Sequence, residues 1–421
     1  MTPPSELVQV AEACQKAGKI LAQCDTSQKD AALNAMADQL MRSQKAIIEE
    51  NNKDIKKAKE NKLSEAMIDR LIITPDRLEK MAKALRDIVA LPDPVGEITA
   101  TWRRPNGLTV SYQRIPLGVI GMIYESRPNV TSDAAGLCLK SGNAVFLRGG
   151  SEAFYSNQAI AAALHQALQD QDIPKAAITL VSTTDRAAVQ EMLTLTDYID
   201  VIIPRGGEGL IRFVSENSRI PVIRHYKGVC HQFVDSTANI DQAIQLLIDG
   251  KVSRPGVCNA LETLLVHEDI AQEFLPPAAE VLKREHVEIR GCPETKKIVP
   301  DIKDATSDDY LAEYLSLIIA VKVVKNMDEV IEHIATFGSN HTDVIVTENY
   351  SNAREFQRRV NSSVVLVNAS SRFSDGGELG LGAEIGISTT KLQAYGPMGL
   401  DSLTTKKFVV LGEGQTRHGR V

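Results

Sequence analysis

The 421-residue chain is poor in aromatic residues, 5% in all with a single tryptophan, and it holds only six cysteines. These thiols, Cys14, Cys24, Cys138, Cys230, Cys258 and Cys292, are too few and too scattered for a disulfide framework, and none falls at zinc-site spacing. A reducing compartment is expected. No excess of positive charge is present: 47 Lys and Arg against 54 Asp and Glu leave a net charge of -7. That balance argues against non-specific binding to nucleic acid or to an anionic membrane, so no nucleic-acid partner and no membrane partner is expected. Long apolar runs are also missing. The longest, Leu315 to Val324, is broken by Lys322 and is too short to cross a bilayer. Met1-Thr2-Pro3-Pro4-Ser5-Glu6 has neither the basic n-region nor the apolar h-region of a secretory leader, and a cytoplasmic, unanchored protein acting on small molecules is the expectation.

Several motifs are lacking as well. There is no Walker A sequence, no G-x-G-x-x-G after the first strand-like run, and no G-x-S-x-G elbow; His225, Cys230 and His231 lie close together without ligand spacing, so no metal site is expected. Gly380-Leu381-Gly382 comes nearest to a glycine fingerprint but reads as loop.

What is present is the composition of an ordinary globular protein, 43% hydrophobic and 24% charged, in a chain longer than one core usually supports. Two or three domains are expected. Residues 5–90 repeat apolar positions at helical spacing, and Thr74-Pro75-Asp76 reads as a cap with proline in the first turn. After Leu91-Pro92-Asp93-Pro94-Val95-Gly96, residues 97–115 alternate around Arg104-Pro105-Asn106-Gly107, a hairpin signal. Short apolar runs then alternate with helical stretches: Leu117 to Tyr124, Ala144 to Leu147, Ile178 to Ser182, Ile199 to Ile203 and Ile220 to Ile223. A second series follows at Gln232 to Val234, Ala260 to Val266, Leu317 to Val324, Val344 to Thr347 and Val364 to Val367. The pattern predicts an α/β protein with two doubly wound parallel sheets. A Gly-dense stretch, Ser374 to Gly399, precedes a last strand-like run, Lys407 to Leu411, placed to pair with the early hairpin.

Four places carry chemistry. Cys258 follows Ser253-Arg254-Pro255-Gly256-Val257 and precedes an apolar strand, a setting in which a thiolate near Arg254 can act as nucleophile; the plainer reading is a small buried hydrophobe. Arg148-Gly149-Gly150-Ser151 and Arg205-Gly206-Gly207-Glu208 each join a strand to a helix, where amide groups and an arginine can receive a phosphate, although a tight turn alone would look the same. Glu125-Ser126-Arg127-Pro128-Asn129 leaves a strand at the sheet's carboxyl edge, and Asn129 either donates to an oxyanion or caps a helix. Arg127 and Arg254 are candidates for the substrate's anionic groups, surface ion pairs being the alternative.

The ordered runs Tyr124-Glu125-Ser126-Arg127-Pro128-Asn129-Val130-Thr131, Lys140-Ser141-Gly142-Asn143-Ala144, Leu147-Arg148-Gly149-Gly150-Ser151, Ile203-Pro204-Arg205-Gly206-Gly207, Gly228-Val229-Cys230-His231 and Cys258-Asn259-Ala260-Leu261-Glu262-Thr263-Leu264-Leu265 resemble the aldehyde dehydrogenase superfamily over nearly the whole chain. The resemblance implies an aldehyde dehydrogenase-like fold: a domain binding NADPH (1–96 and 116–228), a catalytic domain (229–395), and a small β oligomerisation element (97–115 with 396–421). It implies NADPH-dependent reduction of L-glutamate 5-phosphate to L-glutamate 5-semialdehyde with phosphate release, through a cysteine thioester, in proline biosynthesis. It further implies a homo-oligomer, with glutamate 5-kinase as a separate partner. In its terms Cys258 is the nucleophile, Asn129 the oxyanion donor, and Arg148, Gly149 and Ser151 lie by the adenosine ribose. Gly206 and Gly207 form the pyrophosphate turn, and Glu313 lies by the nicotinamide ribose. Where aldehyde-oxidising members carry an E-L-G-G-K run whose glutamate activates water, this chain has His225-Tyr226-Lys227-Gly228, and a reductase gains from that loss because its acyl-enzyme is spared hydrolysis.

Overall fold

The structure, a computed structural model, describes residues 5–417. Met1 to Pro4, on which most of the leader reading falls, and the last four residues of the expected tail lie outside the described residues. The chain divides into two compact units, one formed by Met1–Arg224, Leu381–Gly386 and Met398–Val421, the other by His225–Gly380 and Ile387–Pro397.

The first unit opens with five helices, Glu6–Leu21, Thr26–Arg42, Gln44–Glu60, Glu65–Leu71 and Pro75–Val89. Their starts follow capping chemistry: Asp25 and Gln28 form a reciprocal capping box, and the Thr74 hydroxyl accepts from Arg77 N with Pro75 in the first turn. Leu33, Met36 and Leu40 on one helix and Leu78, Leu85 and Ile88 on another are fully or nearly fully buried. Each such side chain contributes roughly 2 kcal/mol by leaving water.

Behind these helices lies a four-stranded parallel sheet in the order Ile178–Leu180, Ala144–Gly149, Val119–Tyr124, Val201–Arg205. Every residue of Val119–Tyr124 is buried, as a central parallel strand requires. Ile220 to Ile223, expected as a strand, makes only an isolated bridge from Val222 to Ile202; Pro221 has no N–H with which to extend a ladder. A separate antiparallel sheet pairs Ile98–Arg103 with Thr109–Pro116, and the final strand Thr404–Leu411 adds to Thr109–Pro116. The hairpin turn places Pro105 and Asn106 in its middle, Gly107 N donates to Arg104 O at 2.9 Å, and Gly107 takes φ +92°.

The second unit holds a seven-stranded parallel sheet in the order Lys303–Asp304, Glu288–Gly291, Ile318–Val324, Leu261–His267, Cys230–Val234, Thr342–Val346, Val364–Val367. Two of its strands, Glu288–Gly291 and Lys303–Asp304, were not expected. They are short and carry charged residues, so no apolar run marks them. Apolar residues of Ile240–Val252 and Glu268–Arg284 cover one face, and a second cluster around Phe233, Ile345 and Phe356 covers the other.

Candidate active site

In the first unit the chain leaves Val119–Tyr124 to build strands on one side and returns to build Val201–Arg205 on the other. The carboxyl ends of those two neighbours therefore form a switch point, where open α/β sheets bind ligands. The loop after the first carries Glu125, Ser126, Arg127 and Asn129; the turn after the second is Gly206-Gly207, opening the helix Glu208–Asn217. Glu125 N donates to Arg205 O at 3.0 Å, and Glu125 Oε2 accepts from Gly207 N at 2.9 Å. A Cβ on Gly206 would lie 2.4 Å from that carboxylate oxygen, so a larger residue there would push the Glu125 side chain aside. The amide at the helix start thus serves an acidic oxygen of the chain itself, and a phosphate oxygen at Gly207 must displace Glu125. Ser126, at φ +47°, donates through its N–H and its hydroxyl to Glu152 Oε1 at 2.5 and 3.0 Å. The switch-point loop is therefore held by two carboxylates that sequence reasoning assigned no role, although Glu125 stood inside one of the marked runs.

Asn129 is the exposed first residue of the helix Asn129–Lys140, and its Nδ2 donates to Asp133 Oδ2 at 2.7 Å. Desolvation pushes the Asp133 carboxyl up to about 6, against the lowering effects of Asn129, Ser132 and Arg205. Arg127 is exposed.

At the adjacent strand end, Arg148 is half-buried. Its Nη2 donates to Thr184 O at 3.1 Å, its Nε is buried without a hydrogen-bond partner, and burial lowers its pKa. A cavity of about 610 Å³ opens nearby, lined by Lys57, Ser151, Glu152, Tyr155, Ser182 and Thr184 among others. Gly149 has a packing reason to be glycine, since a Cβ there would fall 2.1 Å from Asn157 Nδ2. The volume suits a nucleoside, and Lys57 with the hydroxyl-bearing Ser151, Tyr155, Ser182 and Thr184 makes its lining polar. Lys57 comes from the early helices and carried no local sequence signal.

In the second unit Cys258 lies in the irregular loop between the helix Ile240–Val252 and the strand Leu261–His267, half-buried, at the amino edge of its sheet. Its backbone is tightly held. A Cβ on Gly228 would stand 2.0 Å from Cys258 O, and the Cys230 thiol donates to the same carbonyl at 3.2 Å. Gly228 N donates to Glu313 Oε1 at 2.9 Å, and the Ser371 hydroxyl fixes Asn259 O at 2.7 Å. Below the loop, Lys251 and Glu262, both essentially sealed from solvent, pair at 2.6 Å. Desolvation pushes the Glu262 carboxyl up to about 7 and the Lys251 ammonium down, each opposed by the other's charge. Arg254 is exposed.

The remaining thiols are poor nucleophiles on burial alone. Desolvation pushes Cys14 up to about 12 and raises Cys138 and Cys230 well above the ordinary thiol value, and Cys292 is buried against Thr295; only Cys24 shares the partial exposure of Cys258. Cysteine, glycine and Glu313 thus come together in one unit, and Asn129, Arg127, Arg148 and the two glycine turns come together in the other. Among the described residues no group of His, Cys, Asp and Glu is arranged to hold a metal ion.

Residues 3–305 match the model of the aldehyde dehydrogenase family. The chain belongs to that family. It is 62% identical to the gamma-glutamyl phosphate reductase of Salinibacter ruber over 97% of this chain and 94% of the relative. The crystal structure of gamma-glutamyl phosphate reductase from Thermotoga maritima superposes with a TM-score of 0.97 at 48% identity, covering 98% of this chain and 100% of that one. An engineered glycolyl-CoA reductase with bound NADP+ shares the fold, with a TM-score of 0.67 at 15% identity over 96% of each chain. Within the family the chain groups with the gamma-glutamyl phosphate reductases. Enzymes of this family work with a nicotinamide cofactor.

Proposed function

We propose that the chain reduces L-glutamate 5-phosphate to L-glutamate 5-semialdehyde with release of phosphate, using NADPH, as a step of proline biosynthesis. The observation that carries the reading is Cys258: a half-exposed thiol on a clamped loop, in a chain 62% identical to a relative of that name. Cys258 as thiolate attacks the acyl carbon. The tetrahedral oxyanion accepts from the Asn129 amide and the Cys258 N–H, phosphate departs, and a thioester remains. When bound, the reduced nicotinamide supplies the hydride that takes this thioester to the aldehyde level. Collapse of the thiohemiacetal then expels the semialdehyde and returns the thiolate. Arg127 and Arg254 would receive the substrate's phosphate and carboxylate.

For the cofactor, Arg148, Gly149 and Ser151 would hold the adenosine end, Gly206 and Gly207 the pyrophosphate, and Glu313 the nicotinamide ribose. The Lys57 ammonium lining the 610 Å³ cavity supports a ribose phosphate, and so NADPH over NADH. Trp102, Tyr112 and Phe408 cluster on the antiparallel sheet with Phe408 61% exposed, which supports a homo-oligomer built on that sheet. No helix among the described residues is long and apolar enough to cross a membrane, and a cytoplasmic enzyme supplied by a separate glutamate 5-kinase is part of the reading.

The test is NADPH formation from the semialdehyde, NADP+ and phosphate, with and without Cys258→Ser. Loss on the order of a thousandfold or more is expected, in line with removal of other covalent nucleophiles. An undiminished rate in the variant would refute the covalent route, and coenzyme A serving in place of phosphate would refute the acyl-phosphate assignment.

A further inference from the structure

The Asn129–Asp133 pair raises a physical question. Desolvation makes the partly buried Asp133 carboxyl costly to ionise, yet the groups that hydrogen-bond it are neutral, the Asn129 amide at 2.7 Å and Ser132, while Arg205 acts only through its charge. Asn129 and Asp133 are one turn apart on the helix Asn129–Lys140, so their side chains share a face. The helix N-terminus favours a negative charge in these first turns. An asparagine side chain is nearly symmetric in shape, but its two ends are opposite in chemistry: one nitrogen with two N–H groups, one oxygen with none. An ionised carboxylate only accepts. Beside Asp133, therefore, the Asn129 amide is held with its nitrogen inward, one N–H given to Oδ2 and the other N–H of the same nitrogen left to donate elsewhere. The flipped amide would set Oδ1 against a carboxylate oxygen and aim an acceptor at whatever Asn129 faces.

We infer that Asp133 is a positioning residue which fixes the donor orientation of the Asn129 amide for the oxyanion of the reaction. The inference rests on the proposed role of Asn129 and adds to it a partner and a reason for the carboxyl group's place. Ser132 fixes the other half of the residue, its hydroxyl donating to Asn129 O at 2.9 Å. Backbone and amide are thus both tied down on an otherwise exposed side chain. An ordinary helix-surface pair would add slightly to helix stability and leave turnover unchanged.

The experiment is a double-mutant cycle on the full-length enzyme, reading kcat, KM and the thermal midpoint in the phosphate-dependent oxidation of the semialdehyde. N129A should lower kcat about a hundredfold, the cost of one oxyanion donor. D133A should lower kcat about tenfold to a hundredfold with KM changed less than about threefold, the range seen when an orienting partner is removed. D133N can still accept from the amide in one of its orientations and should recover to within about threefold of the parent. In the N129A background D133A should cost less than about threefold more, because the group it orients is gone. D133S takes the place of D133A should that chain not be recovered folded. Parent-level kcat in D133A or D133S while N129A is slow would overturn the inference and leave the oxyanion role standing, as would a double variant in which the two losses multiply. Parent-level kcat in N129A would overturn the oxyanion role itself, and the inference with it.

Discussion

Replacing Gly228 by alanine tests whether the Cys258 backbone is placed by close contact. The added Cβ would lie 2.0 Å from Cys258 O and 2.7 Å from its Cα, whereas carbon atoms essentially never come within 3.0 Å of such neighbours. Relief therefore demands a shift of about 1 Å, the difference between 3.0 and 2.0, in backbone on both sides. Gly228 N is tied to Glu313 and Cys258 O to the Cys230 thiol, so the movement cannot stay on one side. A misplacement near 1 Å at a reacting group costs roughly a hundredfold in rate. Overpacking of this kind costs only about 1–3 kcal/mol in stability. G228A should accordingly fold, melt a few degrees lower, and lose about a hundredfold in kcat for phosphate-dependent NADP+ reduction, with alkylation of Cys258 by iodoacetamide slowed or redirected. A kcat within threefold of the parent, with the same melting behaviour, would mean that the loop moves freely and that the contact positions nothing.

Removing Glu262 leaves Lys251 buried without its counter-charge, and E262Q should destabilise the protein by about 3–5 kcal/mol in urea titration. Lys251 is already depressed by desolvation and loses its opposing partner, so the folded variant binds fewer protons than the unfolded chain and its deficit should shrink as pH rises from about 7 toward the ordinary lysine range. An E262Q deficit below about 1 kcal/mol, or one that grows with pH, would count against a charged buried pair. F408D places a charge on the exposed aromatic cluster of the antiparallel sheet and should dissociate the proposed homo-oligomer in sedimentation while the thermal midpoint of the protomer changes little; a mass unchanged from the parent's would refute an interface on that sheet.

Long periodic segments were legible because burial leaves a repeating mark. The helices before residue 90 and the strand Val119–Tyr124 bury continuous apolar faces, and their caps, Thr74 with Pro75 among them, are local chemistry. Ile220 to Ile223 misled for the opposite reason: its apolar residues are buried by packing, while Pro221 denies it a ladder. The short outer strands, Lys303–Asp304 at the edge and Glu288–Gly291 beside it, left no mark, because they are held chiefly by backbone pairing.

The marked runs proved to mix two kinds of residue that one sequence cannot separate. In Lys140-Ser141-Gly142-Asn143-Ala144 the polar groups are architectural: the buried Lys140 pairs with Asp30, and Asn143 accepts from Gly118 N and donates to Leu403 O, joining the sheet to the start of the final strand. Within Tyr124 to Thr131, Tyr124 and Thr131 bond to each other at 2.7 Å and brace the strand end, while Asn129, two residues earlier, stands exposed. The carboxyl-edge rule located the first unit's switch point, but Cys258 lies at the amino edge of the second sheet, where no such rule directs attention. Its loop is held by groups far away in sequence, Gly228, Cys230 and Glu313, and flanked by the nearby buried pair of Lys251 and Glu262. Residue type and local spacing therefore mark which side chains could do chemistry, whereas much of what holds such a side chain in place is written in contacts between distant segments; the contacts of Ser132 and Asp133 with Asn129, within a single helical turn, are the exception.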